Sequence, residues 1–407
     1  MAFALLLAGF STFALLYDVQ PLLPLFAHRF AISAANASLA VSFSTGAMAL
    51  AFIPAGMLSD RIGRLPVMIV SLFASAMATI LSAALPGWGL LLLMRALTGI
   101  ALAGVPSVAM AYVSEEADGA SVGSAMGLYI GGSAIGGMTG RLGMTLIAEA
   151  LGWRGAMATM GAAGLVAALL FWRLAPTPRA FIPERHDLRS LAAATGRLMR
   201  DKALPLLFLE GFLLMGAFVT MYNFVGFRLQ APPYSLSQTA VGLIFLLYII
   251  GSFSSAWFGG LAGRVGRRKL FWMPIVGLAI GIALTASRPL SVIVLGIAII
   301  TGSFFAAHST ASGWVGRRAT KDRAQASALY LLCYYLGSSI LGTVGGVAWS
   351  RAAWTGVAGY GIMLVLIALL IAARLAGIKP LEASPPGAGP EVIVYPPAPV
   401  DAATGGR

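Results

Sequence analysis

Long apolar runs separated by short polar breaks dominate the chain. No run alternates polar and apolar residues with a period of two, and most exceed the ~18 residues at which an apolar segment indicates a membrane span. Because only helices and closed barrels satisfy their backbone hydrogen bonds in lipid, the pattern predicts helical spans. The twelve predicted spans are 2–26, 37–57, 67–85, 90–112, 121–146, 155–175, 204–228, 239–260, 270–287, 291–313, 325–349 and 355–376.

The composition agrees with this pattern. Of 407 residues, 59% are hydrophobic and only 10% are charged, against ~25% charged in an ordinary soluble domain. A soluble protein of this size has too few charges here to cover its surface, which excludes a cytosolic enzyme or a secreted module. Twelve spans of ~20 residues leave enough chain for loops and tails. The sequence therefore predicts an all-α membrane protein with twelve transmembrane helices.

The net charge of +13 is explained by topology. When the predicted spans alternate in direction, 20 of the 27 Lys and Arg residues fall on one side and five on the other, while Arg95 and Arg141 lie inside spans. The positive-inside rule then predicts that both termini are cytoplasmic. A basic rim beside the membrane implies no nucleic-acid partner. The single cysteine, Cys333, excludes an internal disulfide.

The chain divides into two similar halves. Residues 56–64 read GMLSDRIGR and residues 259–267 read GGLAGRVGR, at an offset of 203 positions. Tyr17 and Asp18 in the first predicted span match Tyr222 and Asn223 in the seventh. The predicted organisation is an N-terminal six-helix bundle at 1–175, a cytoplasmic linker at 176–202, a C-terminal six-helix bundle at 203–376, and a disordered cytoplasmic tail at 377–407.

Two six-helix halves with a repeated GxLxDRxGR loop resemble the major facilitator superfamily. The segments YDVQPLLP (17–24) and GGSAIGGMTGRLG (131–143) are similar to bacterial drug/proton antiporter-like permeases of the inner membrane, which include drug and sugar efflux proteins. The resemblance implies a two-bundle fold and a monomer in the bacterial cytoplasmic membrane. It also implies transport of a small organic solute by alternating access, with protons as the coupling ion.

The repeated loop is the clearest motif. In the family, the residue matching Asp60 caps the eleventh helix, where a carboxylate is favoured by the helix dipole. The residue matching Arg64 pairs with an acid at the end of the fourth span, here Glu115 or Glu116. Both contacts would break when the two halves move relative to each other, so the loop would act as a conformational latch. The alternative is that Arg61 and Arg64 serve only as the positive charges that set the membrane orientation. The second copy has Gly263 in place of the acid. We call the following residues the latch motif: Gly56, Asp60, Arg61, Gly63, Arg64, Glu115 and Glu116.

Five charged or titratable residues lie inside predicted spans, where a charge costs ~2.5–3.5 kcal/mol to insert. Asp18, Arg95 and Arg141 are at similar depths, so we expect a cluster in which Asp18 pairs with one or both arginines. Neighbouring cations favour the carboxylate and burial disfavours it, so substrate or conformation would switch its proton. The alternative is a static bridge that orients helices. Arg95 with Gly99 also matches the RxxxG motif that the family associates with proton transfer.

The other two, Glu210 and His308, share a depth in the second half. A functional pair is one hypothesis, because histidine titrates near neutral pH. The alternative is that His308 is a hydrogen-bonded packing residue and that Glu210 reaches the interface. Polar and aromatic side chains at mid-membrane are candidates for the substrate cavity, although such residues also bridge helices: Tyr17, Gln20, Tyr129, Tyr222 and Asn223.

Three functions follow as hypotheses. The chain contains no Gly-Lys pair and hence no ATP-binding P-loop, and it has neither an HExxH nor a GxSxG motif, so we expect no enzyme, metal or cofactor. Proton-coupled efflux of a small organic solute is the first hypothesis. A proton symporter or facilitator that imports a sugar or organic acid is the second, since two arginines and one acid suit an anionic substrate. A transporter-like receptor or scaffold that moves no solute is the third.

Overall fold

The computed structural model describes residues 1–116, 122–178, 181, 183, 188–320 and 322–378. This part of the chain contains helices and no β-strand. The α-helices are α1 Ala2–Tyr17, α2 Leu23–Arg29, α3 Ala34–Ile62, α4 Arg64–Ala84, α5 Trp88–Leu102, α6 Ala109–Glu116, α7 Val122–Leu174, α8 Leu188–Arg200, α9 Leu204–Gln230, α10 Gln238–Gly242, α11 Tyr248–Val265, α12 Arg267–Leu270, α13 Trp272–Thr285, α14 Leu290–Arg318 and α15 Arg323–Gly377. Short 3₁₀ turns lie at Gln20–Leu22 and Leu243–Leu247. The predicted tail from 379 onward lies outside the described residues.

Nine helical segments of the described part are long and apolar enough to cross a membrane, where twelve spans were predicted. Two helices account for part of the difference. Helices α7 and α15 contain 53 and 55 residues, so each would be ~80 Å long if straight, against a hydrocarbon core of ~30 Å.

Both long helices fold back on themselves. Helix α7 is interrupted at Gly152, whose φ of 71° suits glycine. A Cβ atom on Gly143 would lie 3.8 Å from the sulfur of Met160, although 17 helical positions span ~25 Å. Helix α15 is interrupted at Ala352 and Ala353, and Tyr360 on the far side of the break donates a hydrogen bond to the carbonyl of Leu341. Each long helix is therefore two antiparallel segments.

The predicted span 90–112 is also interrupted. Helix α5 ends at Leu102, and α6 begins only at Ala109. Pro106 lies in the intervening turns, and proline has no N–H to continue a helix. Helix α5 has only 15 residues, so it falls below the length that by itself indicates a span.

The first predicted span breaks at the acid that it carries. Helix α1 ends at Tyr17 with Asp18 as its C-cap residue, and the chain continues through a 3₁₀ turn into α2. Pro21 and Pro24 follow the break. Because proline supplies no N–H, Pro21 cannot donate to the carbonyl of Tyr17, four residues before it.

Helices α1 and α7 pack with their backbones in close contact. Gly132, Gly136 and Gly140 of α7 face the α1 backbone, and a Cβ atom on any of them would collide with it. The contacted positions advance along α1 as the glycines advance along α7, so the two helices run in the same direction. Glycines four residues apart allow this close approach in membranes.

Helices α9 and α15 repeat the arrangement in the second half. Gly337 lies against the backbone of Phe212, and Gly345 lies against Thr220. The two helices again run in the same direction. The first and second halves of the chain therefore build the same kind of helix pair.

The two halves meet closely at one end of the molecule. We call the end that carries the turns at Gly63 and Gly266 the latch face, and the other end the opposite face. Near the opposite face, Gln238 donates a hydrogen bond of 2.6 Å to the carbonyl of Pro21. The backbone N–H of Thr239 donates to the Glu149 carboxylate at 3.2 Å. These contacts seal the halves together there.

Candidate functional site

Asp18 and Arg95 form a buried ion pair at the break after α1. Arg95 Nη1 lies 3.0 Å from Asp18 Oδ1, and both side chains are fully buried. The same carboxylate oxygen accepts the backbone N–H of Val19 at 2.8 Å. Among the described residues, Asp18 Oδ2 has no hydrogen-bond partner. One oxygen of the acid is therefore held, and the other is unsatisfied.

Arg95 also binds the carbonyl end of α1. Its guanidinium donates to the carbonyls of Leu15 at 3.1 Å and Leu16 at 2.6 Å. These carbonyls belong to the last turn, which has no intrahelical donors, and a cation there is favoured by the helix dipole. This capping role was not predicted from the sequence, although Pro21 and Pro24 beyond Tyr17 signalled that the helix ends there.

Helix α3 completes the environment of Arg95. The guanidinium donates from Nε to the carbonyl of Ala40 at 3.1 Å and from Nη2 to Ser44 Oγ at 3.0 Å. Gly99, one turn after Arg95, lies so close to the Ser44 backbone that a Cβ atom would collide with it. This approach brings α3 within reach, so Arg95 joins α1, α3 and α5.

Arg141 lies near the ion pair but makes different contacts. Its Nε donates to Gln20 Oε1 at 2.6 Å. The guanidinium lies over the rings of Tyr17, at 4.4 Å, and Tyr248, at 4.8 Å. Among the described residues it has no ion pair. The structure therefore joins Asp18 to Arg95, and it surrounds Arg141 with aromatic faces and an amide.

A polar bridge links this region to the second half. Gln20 Nε2 donates to Asn223 Oδ1 at 2.7 Å, and both side chains are buried. The neighbouring Tyr222 shares a hydrogen bond of 2.6 Å with Thr301. The structure thus brings together four of the five cavity candidates. Tyr129 packs instead in a separate apolar cluster with residues such as Tyr112 and Val108.

Glu210 and His308 do not form a direct pair. Glu210 is fully buried, and neither carboxylate oxygen has a hydrogen-bond partner among the described residues. His308 is half-buried, and its Nδ1 shares a hydrogen bond of 3.0 Å with Tyr330 Oη. Tyr330 packs against Gly211, next to Glu210. The tyrosine therefore lies between the two predicted partners.

Aromatic rings that were not predicted from the sequence surround His308. The ring centroids of Phe304 and Tyr334 lie 6.0 Å and 4.7 Å from that of His308. A usable signal was the spacing, since Phe304 precedes His308 by four residues and Tyr330 precedes Tyr334 by four, which places each pair on one helix face.

The latch motif is assembled around Arg64. Its Nε and Nη2 both lie 3.0 Å from Glu115 Oε1, and its Nη1 donates to Ser59 Oγ at 2.8 Å and to the Asp60 carboxylate. Glu115 is thus the acid that engages Arg64, of the two candidates. Gly63 has a φ of 104°, a conformation that favours glycine.

Other latch residues lie nearby. Arg61 is exposed, Gly56 has open space around its Cα, and Glu116 ends α6. The eleventh predicted span, 325–349, is the first segment of α15. In the family its cap is the residue matching Asp60, and in this structure Asp322 occupies the N-cap position of α15. Across the described ranges, no three His, Cys, Asp or Glu residues come together as a metal site.

Sequence comparisons identify relatives of this arrangement. The family model described as Major Facilitator Superfamily matches residues 1–257. The chain is 43% identical over 376 residues to the uncharacterized MFS-type transporter YybF of Bacillus subtilis, which covers 92% of this chain and 93% of that protein. It is 44% identical over 372 residues to the inner membrane transport protein YnfM of Escherichia coli, covering 91% and 89% of the two chains.

Solved structures share the fold. A bacterial homologue of the human lysosomal transporter Spinster, in an inward-facing and unoccupied conformation, superposes with a TM-score of 0.77 at 16% identity, covering 92% of this chain and 95% of that one. The nucleoside transporter NupG superposes with a TM-score of 0.74 at 17% identity, covering 91% and 99%. At such identities the likeness concerns the fold alone.

Proposed function

The chain belongs to the major facilitator superfamily and is a membrane transporter of that type, and we propose that it exports a small organic solute in exchange for protons. Transport proceeds by alternating access in a monomer. The single observation that carries the proposal is the buried Asp18–Arg95 ion pair, two residues from the Gln20–Asn223 bridge between the halves.

The proposed architecture has twelve crossings. Helices α7 and α15 each count as two because they fold back, and α5 with α6 counts as one, so the nine candidate segments become twelve. They form six-helix bundles at 1–175 and 203–376, joined by the linker 176–202. The latch face and both termini are cytoplasmic in the bacterial inner membrane, which agrees with the basic loops on that side. The seal at the opposite face then corresponds to an inward-facing state.

Proton coupling follows from the chemistry of the pair. Protonation of Asp18 removes the charge that attracts Arg95, and in a low-dielectric site this attraction is strong. Arg95 would keep its hydrogen bonds to the carbonyls of α1 but lose its attraction to the Asp18 carboxylate. We therefore expect the segment between α1 and α2 to shift. Gln20 lies in that segment and contacts Asn223. Proton binding at Asp18 is thereby transmitted to the interface that must open.

The environment of Arg141 supports an organic anion as the solute. Its guanidinium has aromatic faces and an amide around it and no ion pair with a described residue. Cation–π contacts stabilise the charge without neutralising it, which leaves it available to a carboxylate or phosphate on the substrate. The same feature suits the second hypothesis, import of an organic acid with protons.

The test uses the purified chain in proteoliposomes with an imposed pH gradient and a panel of labelled organic anions. We expect solute flux that depends on the gradient. In the Asp18→Asn variant, gradient-driven flux is lost while solute exchange at equal pH remains, because Asn cannot bind the proton. Asp322→Asn is the matched control, since this acid pairs with Arg197 at the latch face.

Each outcome has a defined reading. Unchanged proton-driven transport by a folded Asp18→Asn protein would contradict the coupling role. Flux that ignores the gradient identifies a facilitator, and flux in the opposite direction identifies a symporter. No flux with any solute favours the receptor or scaffold.

A further inference from the structure

A basic cavity of about 930 Å³ opens at the latch face of the second half. It lies between the turn at Gly266, the end of α14 and the end of α15. Five cationic side chains line it: Arg267, Arg268, Lys269, Arg317 and Arg318. Among the described residues, none of its lining side chains is a carboxylate.

Most of this positive charge is not neutralised by residues that the structure describes. Arg318 pairs with Asp201 at 3.0 Å, and the other four cations have no ion pair with a residue that the structure describes. Arg268 donates to the carbonyl of Ala376, with Nε at 3.1 Å. Arg267 Nε is buried and has no hydrogen-bond partner in the described part. Such an unmade bond costs free energy, so the cavity is suited to an external anion.

The internal repeat shows which residues distinguish the cavity from the matching place in the first half. At the offset of 203 positions, Arg267 corresponds to Arg64, Gly263 to Asp60, and Arg318 to Glu115. In the first half, Asp60 and Glu115 neutralise Arg64. In the second half, both acids are replaced, one by glycine and one by another cation. The same backbone turn is kept, since Gly63 and Gly266 have φ values of 104° and 107°.

The position and the tryptophans of the cavity indicate the class of anion. Trp272, which is half-exposed, and Trp314 both line it. Trp272 Nε1 donates to the carbonyl of Lys269 at 2.9 Å, and Trp314 packs edge-on against Phe271. Tryptophan is enriched at the membrane–water interface, and basic cavities between spans bind phospholipid headgroups. The guanidinium group of arginine can donate two parallel hydrogen bonds to the oxygens of a phosphate group.

We propose that this cavity binds a phosphate group, presented at the interface by the headgroup of an anionic phospholipid. A soluble phosphate compound shares the chemistry that the arginines recognise. The two sources differ in one respect, because only a lipid also places acyl chains beside Trp272.

The experiment measures binding to the purified full chain in detergent. Phosphatidylglycerol, phosphatidylcholine and inorganic pyrophosphate are titrated separately, and the readouts are the shift in Tm and lipid retention in native mass spectrometry. The variants are Arg317→Gln, which changes an exposed side chain, and the double variant Arg267→Gln with Arg317→Gln. Arg264→Gln is the matched control, because it removes a cation from the same loop outside the cavity lining.

We expect phosphatidylglycerol to raise Tm and phosphatidylcholine to have little effect. The affinity for phosphatidylglycerol should fall about tenfold or more in the double variant and less in Arg317→Gln, and should be unchanged in Arg264→Gln. Stabilisation by pyrophosphate alone would assign the phosphate site to a soluble compound and overturn the lipid. The phosphate site itself is overturned if neither anion binds, or if Arg264→Gln weakens binding as much as the double variant. Because Arg317 is exposed, its single variant decides the result if the double variant does not fold.

Discussion

The two halves of the molecule use the same helix pairs but join them with different chemistry. In the first half, α1 and α5 are connected by the charged contact of Asp18 with Arg95 at 3.0 Å. In the second half, the matching helices α9 and α14 are connected by the hydroxyls of Tyr222 and Thr301 at 2.6 Å. A proton can switch the first contact and has no charge to remove in the second. If the proposed function is correct, proton binding alters the Asp18–Arg95 contact of the first half and leaves the Tyr222–Thr301 contact of the second half unchanged.

The latch face shows a second difference of the same kind. The first copy of the repeated loop encloses Arg64 between Asp60 and Glu115, whereas the second leaves Arg267 in a cavity of cations. Both copies keep the glycine turn. At the repeated loop the two copies therefore share the backbone turn, and charge is what distinguishes them.

The largest expected effect comes from breaking the charged contact. Arg95→Gln leaves Asp18 buried without its cation and removes the cap of α1, so we expect a loss of about 3–5 kcal/mol of stability. Tyr222→Phe in the second half should cost only about 1 kcal/mol, because a neutral hydrogen bond is lost. Thermal unfolding in detergent measures both. Adding Asp18→Asn to Arg95→Gln should recover part of the loss, and equal losses for Arg95→Gln and Tyr222→Phe would remove the distinction between the halves.

A smaller effect is expected from the matched glycines Gly99 and Gly302. A Cβ atom on Gly99 would collide with the Ser44 backbone, but on Gly302 its nearest neighbour would be a side-chain carbon of Ile250 at 3.4 Å. Gly99→Ala should therefore destabilise by about 1–3 kcal/mol, and Gly302→Ala should be close to neutral. The comparison of Tm values tests whether Arg95 depends on this close approach. A neutral Gly99→Ala would show that it does not.

The smallest expected effect restores the missing acid of the second loop. Gly263→Asp places a carboxylate four residues before Arg267, in space that is open, as Asp60 precedes Arg64. We expect a gain of about 0.2–0.5 kcal/mol relative to Gly263→Asn, which matches its size without its charge. The difference in Tm should shrink as salt rises. A difference that is absent at low salt would mean that the two loops are not equivalent.

Much of the fold was predictable because hydropathy along the chain reports helix length. The all-helical membrane architecture and the superfamily are confirmed. Interruptions of the helices were harder to predict. The predicted span 90–112 breaks after Leu102, and the first predicted span breaks at Asp18. In the first predicted span, Arg95 bonds the carbonyls at the end of α1, and local composition does not report such a tertiary partner.

The candidate site shows where sequence reasoning ends. Depth along a helix follows from counting residues, and it selected Asp18, Arg95, Arg141, Glu210 and His308 as the charged or titratable positions. Depth does not choose between Arg95 and Arg141 as the partner of Asp18, nor does it place Tyr330 between Glu210 and His308. Those choices depend on the rotation of each helix about its axis. Rotation is set by contacts between helices, above all the glycine faces of α7 against α1 and of α5 against α3.

The amino-acid order alone thus defined the apolar spans, the repeat, the basic side and the depth of each buried charge, since these depend on position along one dimension. Tertiary structure decided which charge meets which. Arg95 reaches Asp18 where α1 ends at Tyr17, and its guanidinium also donates to the carbonyls of Leu15 and Leu16 at that end, while Arg141 is turned toward aromatic rings. The physical reason is that an ion pair requires two side chains to converge within about 4 Å, and convergence is a property of packed helices.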